Sequence, residues 1–101
     1  MTPSSLVRVS VTFLVARDSV AELRRAFTDN FAPAISAQQG FLECLLLAAT
    51  EGGDAPRLRL DITFRTEDER LAWVQSDLHD KVFEPMAALA SSWHVDHLVL
   101  A

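Results

Sequence analysis

The junction at Thr66 constrains the fold of this chain more than any other feature. Before it, Arg57 to Arg65 alternates, with Leu58, Leu60, Ile62 and Phe64 on one face and Arg57, Arg59, Asp61, Thr63 and Arg65 on the other. Only a strand lines up a period of two. After it, Leu71, Val74, Leu78, Val82, Met86 and Leu89 recur at spacings of three and four, which a helix gathers into one stripe. Between the two patterns Thr66 and Glu69 form a T-x-x-E capping box, in which each side chain satisfies a backbone N–H that the first helical turn leaves unpaired. A strand therefore ends near Arg65 and a helix begins near Glu67. Ser76-Asp77 offers a second cap and Pro85 a bend, so this helical region reads as one bent helix or two short ones. Asp61 to Leu89 also holds most of the aromatic and titratable groups able to line a pocket.

The rest of the chain reads by the same two periods. Leu6 to Val15 alternates, with Val7, Val9, Val11, Phe13 and Val15 on one face and Arg8, Ser10 and Thr12 on the other, and is the clearest strand. Ser19 and Glu22 form an S-x-x-E box opening a helix whose inward stripe is Val20, Leu23, Phe27 and Phe31. Pro33 predicts a kink or a helix in two pieces, and Gly40 stands where a helix end wants positive φ. Phe41 to Thr50 is an apolar run bounded by Gly40 and Gly52-Gly53, hence a strand, joined by a turn at Glu51 to Pro56 to the alternating Arg57 to Arg65. Trp93 to Leu100 closes the chain as a further strand.

The order β-α-β-β-α-β predicts an α+β fold of the ferredoxin-like kind, a four-stranded antiparallel sheet with two helices on one face. At 101 residues the chain is one domain, 1–101. The face toward the helices is Val7, Val9, Val11, Phe13, Leu58, Leu60, Ile62, Phe64, Trp93, Val95 and Val99. The opposite face is Arg8, Ser10, Thr12, Arg59, Asp61, Thr63, His94 and Asp96, with Glu43 if the second strand keeps register. A hydrophobic fraction of 50% beside 23% charged residues is rich for so short a chain, and predicts that this face pairs with a second copy rather than staying wet.

Nine basic residues, scattered, and a formal net charge of −5 argue against nucleic acid and anionic membranes. A single cysteine, Cys44, excludes an internal disulfide and fits a reducing cytoplasm. The N-terminal apolar run is interrupted by Arg8, Ser10 and Thr12, so it reads as neither a signal peptide nor a membrane span.

The stretch F-R-T-E-D-E-R-L-A-W-V-Q-S-D, Phe64 to Asp77, resembles the antibiotic biosynthesis monooxygenase family of dimeric α/β barrel proteins. Phe64 stands where that family's strand-to-helix turn usually has Trp, Thr66-Glu67 stands for its Ser and acidic residue, and Trp73, Ser76 and Asp77 match the W-x-x-S-D segment of its heme-degrading branch. The resemblance implies a homodimer whose two sheets close into an eight-stranded barrel, with a small-molecule cavity between each sheet and its helices. Phe83 occupies the position of that branch's histidine ligand, and Ser10 falls where its asparagine stands, so heme degradation is not expected. The chain has no tyrosine, which excludes a phenolic acid or base.

Oxidation without a metal or flavin needs a substrate that itself gives an electron to O2, such as an ionised phenolic anthrone or hydroquinone, in an apolar, water-poor cavity beside a base. His97, on the inward face of the last strand, and His79, six residues beyond Trp73, are the candidate bases. The plainer readings are a hydrogen-bonded core residue for His97 and a solvent-facing one beside Asp80 for His79. Phe64, Trp73, Phe83, Trp93, Phe27 and Met86, with Phe31, are the candidate substrate-binding cluster. His94 and Asp96 lack a third ligand, so no metal is expected, and without a G-x-G-x-x-G no bound dinucleotide is expected. Cys44 reads as a structural thiol. The leading reading is a cofactor-free monooxygenase of a small aromatic or polyketide-type molecule. A non-catalytic small-molecule-binding or stress-related dimer competes with it, and an isomerase-like or lyase-like relative on the same barrel is a third reading.

Overall fold

A computed structural model of the chain describes residues 6–50 and 56–99. The expected turn at Glu51 to Pro56 and Gly52-Gly53 fall largely outside the described residues. Four strands, β1 (Val7–Val15), β2 (Phe41–Ala48), β3 (Arg57–Phe64) and β4 (Ala90–Val99), form one antiparallel sheet in the order β2-β3-β1-β4. This is the ferredoxin-like α+β arrangement. Registers Val7↔Phe64, Val9↔Ile62, Val11↔Leu60 and Phe13↔Leu58 bring the apolar sets of β1 and β3 onto one face. Val9↔His97, Val11↔Val95 and Phe13↔Trp93 add those of β4. Burying these rows against the helices contributes on the order of 1.5–3 kcal/mol for each large side chain removed from water.

The first helical region runs from α1 (Val20–Ala26) through a π turn (Phe27–Phe31) into α2 (Ala32–Ser36) without a break. Ala32 N–H donates to Phe27 C=O, five residues back rather than four. Widening the turn just ahead of Pro33 accommodates its ring and missing N–H, so the helix passes through where the sequence predicts a kink or two pieces. Ser19 is the residue before α1, yet its hydroxyl makes no capping bond. The chain enters through a short 3₁₀ turn, Arg17–Ser19, that leaves Ser19 at φ −97° and ψ −4°, not in the extended conformation from which a cap reaches forward.

The second region is two helices, α3 (Glu67–Val74) and α4 (Asp77–Leu89). Thr66 Oγ1 accepts the Glu69 N–H at 3.2 Å and donates to Glu69 Oε1 at 2.9 Å, so the Glu69 carboxylate takes the hydroxyl of Thr66. The break comes at Ser76, whose Oγ accepts the His79 N–H at 3.1 Å and donates to Trp73 C=O at 2.6 Å. Pro85 sits inside α4 without ending it. The stripe is kept only in part: α3 buries Arg70 and Trp73 while Val74 and, after the break, Leu78 are exposed, and further along α4 Val82 and Met86 are buried and Leu89 packs against the core. Chain direction reverses at Gly40, whose φ of +81° is the left-handed conformation that glycine adopts at no steric cost. Its carbonyl accepts the Arg65 N–H at 2.8 Å, tying the start of β2 to the end of β3.

The face away from the helices carries Arg8, Ser10, Thr12, Arg59, Asp61, Thr63, His94 and Asp96, and the bulge between Phe41 and Glu43 places Glu43, Leu45 and Leu47 there too. Its centre is a hydrogen-bonded set: Asp61 accepts from Ser10 Oγ at 2.8 Å and from Arg59 Nε and Nη2 at 2.7 and 2.9 Å. Arg59 holds the Asp61 carboxyl below its usual range against the opposing effect of burial, with Ser10 assisting. Among the described residues no helix is long and apolar enough to cross a membrane.

Candidate functional site

A cavity of about 420 Å³ lies between the sheet and the α3–α4 pair. Its floor is the inward face of three strands: Val9 and Val11 from β1, Ile62 and Phe64 from β3, Trp93, Val95 and His97 from β4. Its walls are Phe31 from the π turn, Arg70, Trp73 and Val74 from α3, and His79 and Phe83 from α4. The volume lies within the range of small-molecule sites, and the lining is apolar with a few polar groups, the usual composition of such sites. Trp93 is 48% exposed, so the cavity opens along the edge strand β4.

Both candidate histidines line this cavity. His79 is the third residue of α4, and its ring is held on three sides. Trp73 meets it edge-on with centroids 5.3 Å apart, Phe83 stacks on it at 5.4 Å and 10°, and its Nδ1 lies 3.1 Å from Asp80 Oδ1. It is therefore neither the solvent-facing residue of the plainer reading nor a loose one, its side chain being 17% exposed. His97 is exposed, at the mouth of the cavity, not in the core, because β4 is an edge strand most of whose side chains stay exposed. The aromatic contacts continue from Phe31 to Trp73 (5.9 Å) and from Phe83 to Trp93 (5.2 Å), so rings run from the buried end of the cavity to its rim.

Of the six expected substrate-binding residues, Phe64, Trp73, Phe83 and Trp93 line the cavity, and Phe27 and Met86 do not. Phe27 stacks on Phe31 at 6.3 Å and packs against the core from behind it. Met86 is fully buried three residues beyond Phe83, where the space between α4 and the sheet is already filled.

Arg70 is the lining residue that sequence reasoning missed. Its guanidinium donates from Nε and Nη2 to the two carboxylate oxygens of Glu67, the second at 2.9 Å, and its side chain is only 10% exposed. The hydrogen bonds from Arg70 lower the Glu67 pKa, and the same bonds raise that of Arg70. A signal existed: Glu67, Arg70 and Trp73 are spaced by three and share a helix face. It was masked by the acidic first turn, which looks like a solvated end.

The remaining candidates lie elsewhere. His94 Nε2 and Asp96 Oδ1 are 2.9 Å apart on the opposite sheet face, and among the described residues no group of three or more His, Cys, Asp or Glu is arranged to hold a metal. Cys44 is half-buried on β2, and burial, with Glu43 adding to it, pushes its thiol up to about 12, far from a thiolate at neutral pH.

No protein-family model and no curated protein matches the sequence. The fold does have solved counterparts. A protein from Caulobacter crescentus, provisionally named an antibiotic biosynthesis monooxygenase, superposes with a TM-score of 0.81 at 15% identity, covering 98% of this chain and 92% of the other. One of the same provisional name from Bordetella bronchiseptica gives 0.80 at 15% identity, covering 96% and 98%. A Bacteroides thetaiotaomicron protein of unknown function, described as a possible oxidoreductase, gives 0.81 at 12% identity, covering 96% and 99%. The chain thus has the antibiotic biosynthesis monooxygenase-like α+β fold.

Proposed function

We propose that the chain is a cytoplasmic, cofactor-independent monooxygenase-like protein that oxidises a small aromatic or polyketide-type molecule in the cavity between sheet and helices. The observation that carries this reading is the cavity of about 420 Å³, apolar over most of its lining, with two imidazoles on its wall. In the reaction His79 or His97 takes a proton from an anthrone or hydroquinone-like substrate. The anion passes one electron to O2, and the resulting radical pair combines to a peroxide anion at carbon, which takes the proton back from the imidazolium to give the hydroperoxide. Loss of water then leaves a carbonyl, so one oxygen atom enters the product and the other leaves as water. Substrate is the reductant and O2 the oxidant. The protein contributes orientation, water exclusion and the base.

The active form in this proposal is a homodimer joined through the sheet face away from the helices. Leu45, Leu47 and Leu98 are 44%, 43% and 43% exposed there, which supports a partner. A monomer at micromolar concentration in sedimentation would remove that part. Catalysis is tested by O2 uptake and quinone absorbance with anthrone, comparing the native chain with His79→Ala and His97→Ala. Unchanged turnover in both variants would eliminate both bases. The tight packing of His79 between Trp73 and Phe83 favours one alternative, a non-catalytic binding protein in which His79 is a wall. In that case the native chain binds aromatics and consumes no O2.

A further inference from the structure

We propose that Arg70 is an anion-binding residue that makes the cavity select aromatic molecules in their ionised form, a ring carrying a phenolate or enolate oxygen. This rests on the reading of the cavity as an aromatic-binding site and adds the charge state of its occupant. Apart from the indoles of Trp73 and Trp93, the polar side chains on the cavity wall are Arg70, His79 and His97, which are also its titratable ones. Of these, only the guanidinium is charged at every physiological pH. Glu67 takes one N–H from Nε and one from Nη2. Among the described residues, three of the five guanidinium N–H groups, two on Nη1 and one on Nη2, are left over.

The two ends of the pair differ in exposure: the Arg70 side chain is 10% exposed and the Glu67 side chain 54%. The carboxylate therefore sits on the water side and is screened, while the guanidinium lies against the cavity, where a charge-assisted hydrogen bond is strongest. Glu67 also fixes the guanidinium plane, so its free N–H edge is held in place before a ligand arrives. Arg70 further lines a smaller depression with Arg8, Glu67 and His97, which places His97 next to the same anion site and gives the departing phenolic proton an acceptor there. An anion is the form from which an electron leaves for O2, so binding it selectively raises the population that reacts.

The test uses 4-nitro-1-naphthol, whose anion absorbs at longer wavelength than its neutral form, and its methyl ether, which cannot ionise. On binding the native chain, ionisation of the nitronaphthol moves down by about one pH unit, a tenfold preference for the anion. Arg70→Gln abolishes the shift and leaves methyl ether affinity within about twofold, since neutral–neutral packing is retained. Arg70→Lys, which keeps the charge and loses the two-pronged bond to Glu67, retains part of the shift. Binding of the nitronaphthol by the native chain with no shift overturns the inference and leaves the aromatic cavity standing. A full shift in Arg70→Gln assigns it to another group, a histidine or Arg8, and likewise overturns it. If the native chain binds neither probe, the cavity reading itself fails and the inference with it.

Discussion

Ser76→Ala tests whether the cavity is shaped at the α3–α4 joint. The Ser76 hydroxyl does two things: it caps α4 by accepting the His79 N–H at 3.1 Å, and it donates to Trp73 C=O at 2.6 Å. Losing a serine cap costs about 1 kcal/mol. The Trp73 carbonyl also accepts the Ser76 N–H at 3.0 Å and stays satisfied without the hydroxyl. That second loss is then worth only about 0.5 kcal/mol, the low end for a neutral hydrogen bond. The sum, about 1.5 kcal/mol, lowers the urea midpoint by about 1 M and Tm by about 6 °C or more. Tryptophan fluorescence during urea unfolding reads it, since Trp73 and Trp93 both line the cavity. Ser76→Asp keeps the acceptor and places a negative charge at the helix N-terminus, so it recovers most of the loss. Because the Trp73–His79 ring contact spans the joint, Ser76→Ala also weakens binding of the neutral methyl ether by about threefold to tenfold. A midpoint unchanged in Ser76→Ala, or lowered equally in Ser76→Asp, would refute the capping account. A lowered midpoint with unchanged ether affinity would refute the link from joint to cavity.

Gly40→Ala should destabilise by about 1–2 kcal/mol from the left-handed φ alone, and further because its Cβ would collide with the Glu69 carboxylate that completes the Thr66 cap. A thermal melt within one degree of the native chain's would contradict this. Asp61, with its pKa lowered chiefly by the Arg59 hydrogen bonds, stabilises the fold fully above the ordinary carboxylate pKa of about 4, and that contribution is lost as pH falls through the folded value. Native chain and Asp61→Asn should therefore differ in urea midpoint at pH 6, with the difference shrinking as pH falls below the ordinary carboxylate value of about 4; a constant difference would show that Asp61 does not titrate as its contacts require. Cys44 should resist iodoacetamide at pH 8 in the folded protein and react readily in urea, because burial pushes its thiol up to about 12. Equal rates in both conditions would mean that the strand does not shield it.

The strand alternations of β1 and β3 and the Thr66 junction determine the element order, and with it the sheet, before any tertiary contact is considered. A period of two buried on one side admits one register, since a slip by one residue would turn Val9, Val11 and Phe13 to the wrong face. For the same reason the inward positions of Trp93, His97 and Phe64 were legible. What the tertiary structure alone decided is the phase of α3, the outcome of each cap and the shape of the cavity. Phase depends on where a helix starts: the start at Thr66 sets α3 so that Arg70 and Trp73 are buried and Val74 stays at the exposed rim of the cavity, and the restart at Ser76 leaves Leu78 exposed. The same local pattern capped at Thr66 and failed at Ser19, because a cap needs an extended backbone that the preceding 3₁₀ turn denies. Whether an inward aromatic lines a cavity or fills the core depends on the separation of helix and sheet at that point. No periodicity encodes it, which is why Phe83 borders the cavity while Met86, on the same helix, fills the core.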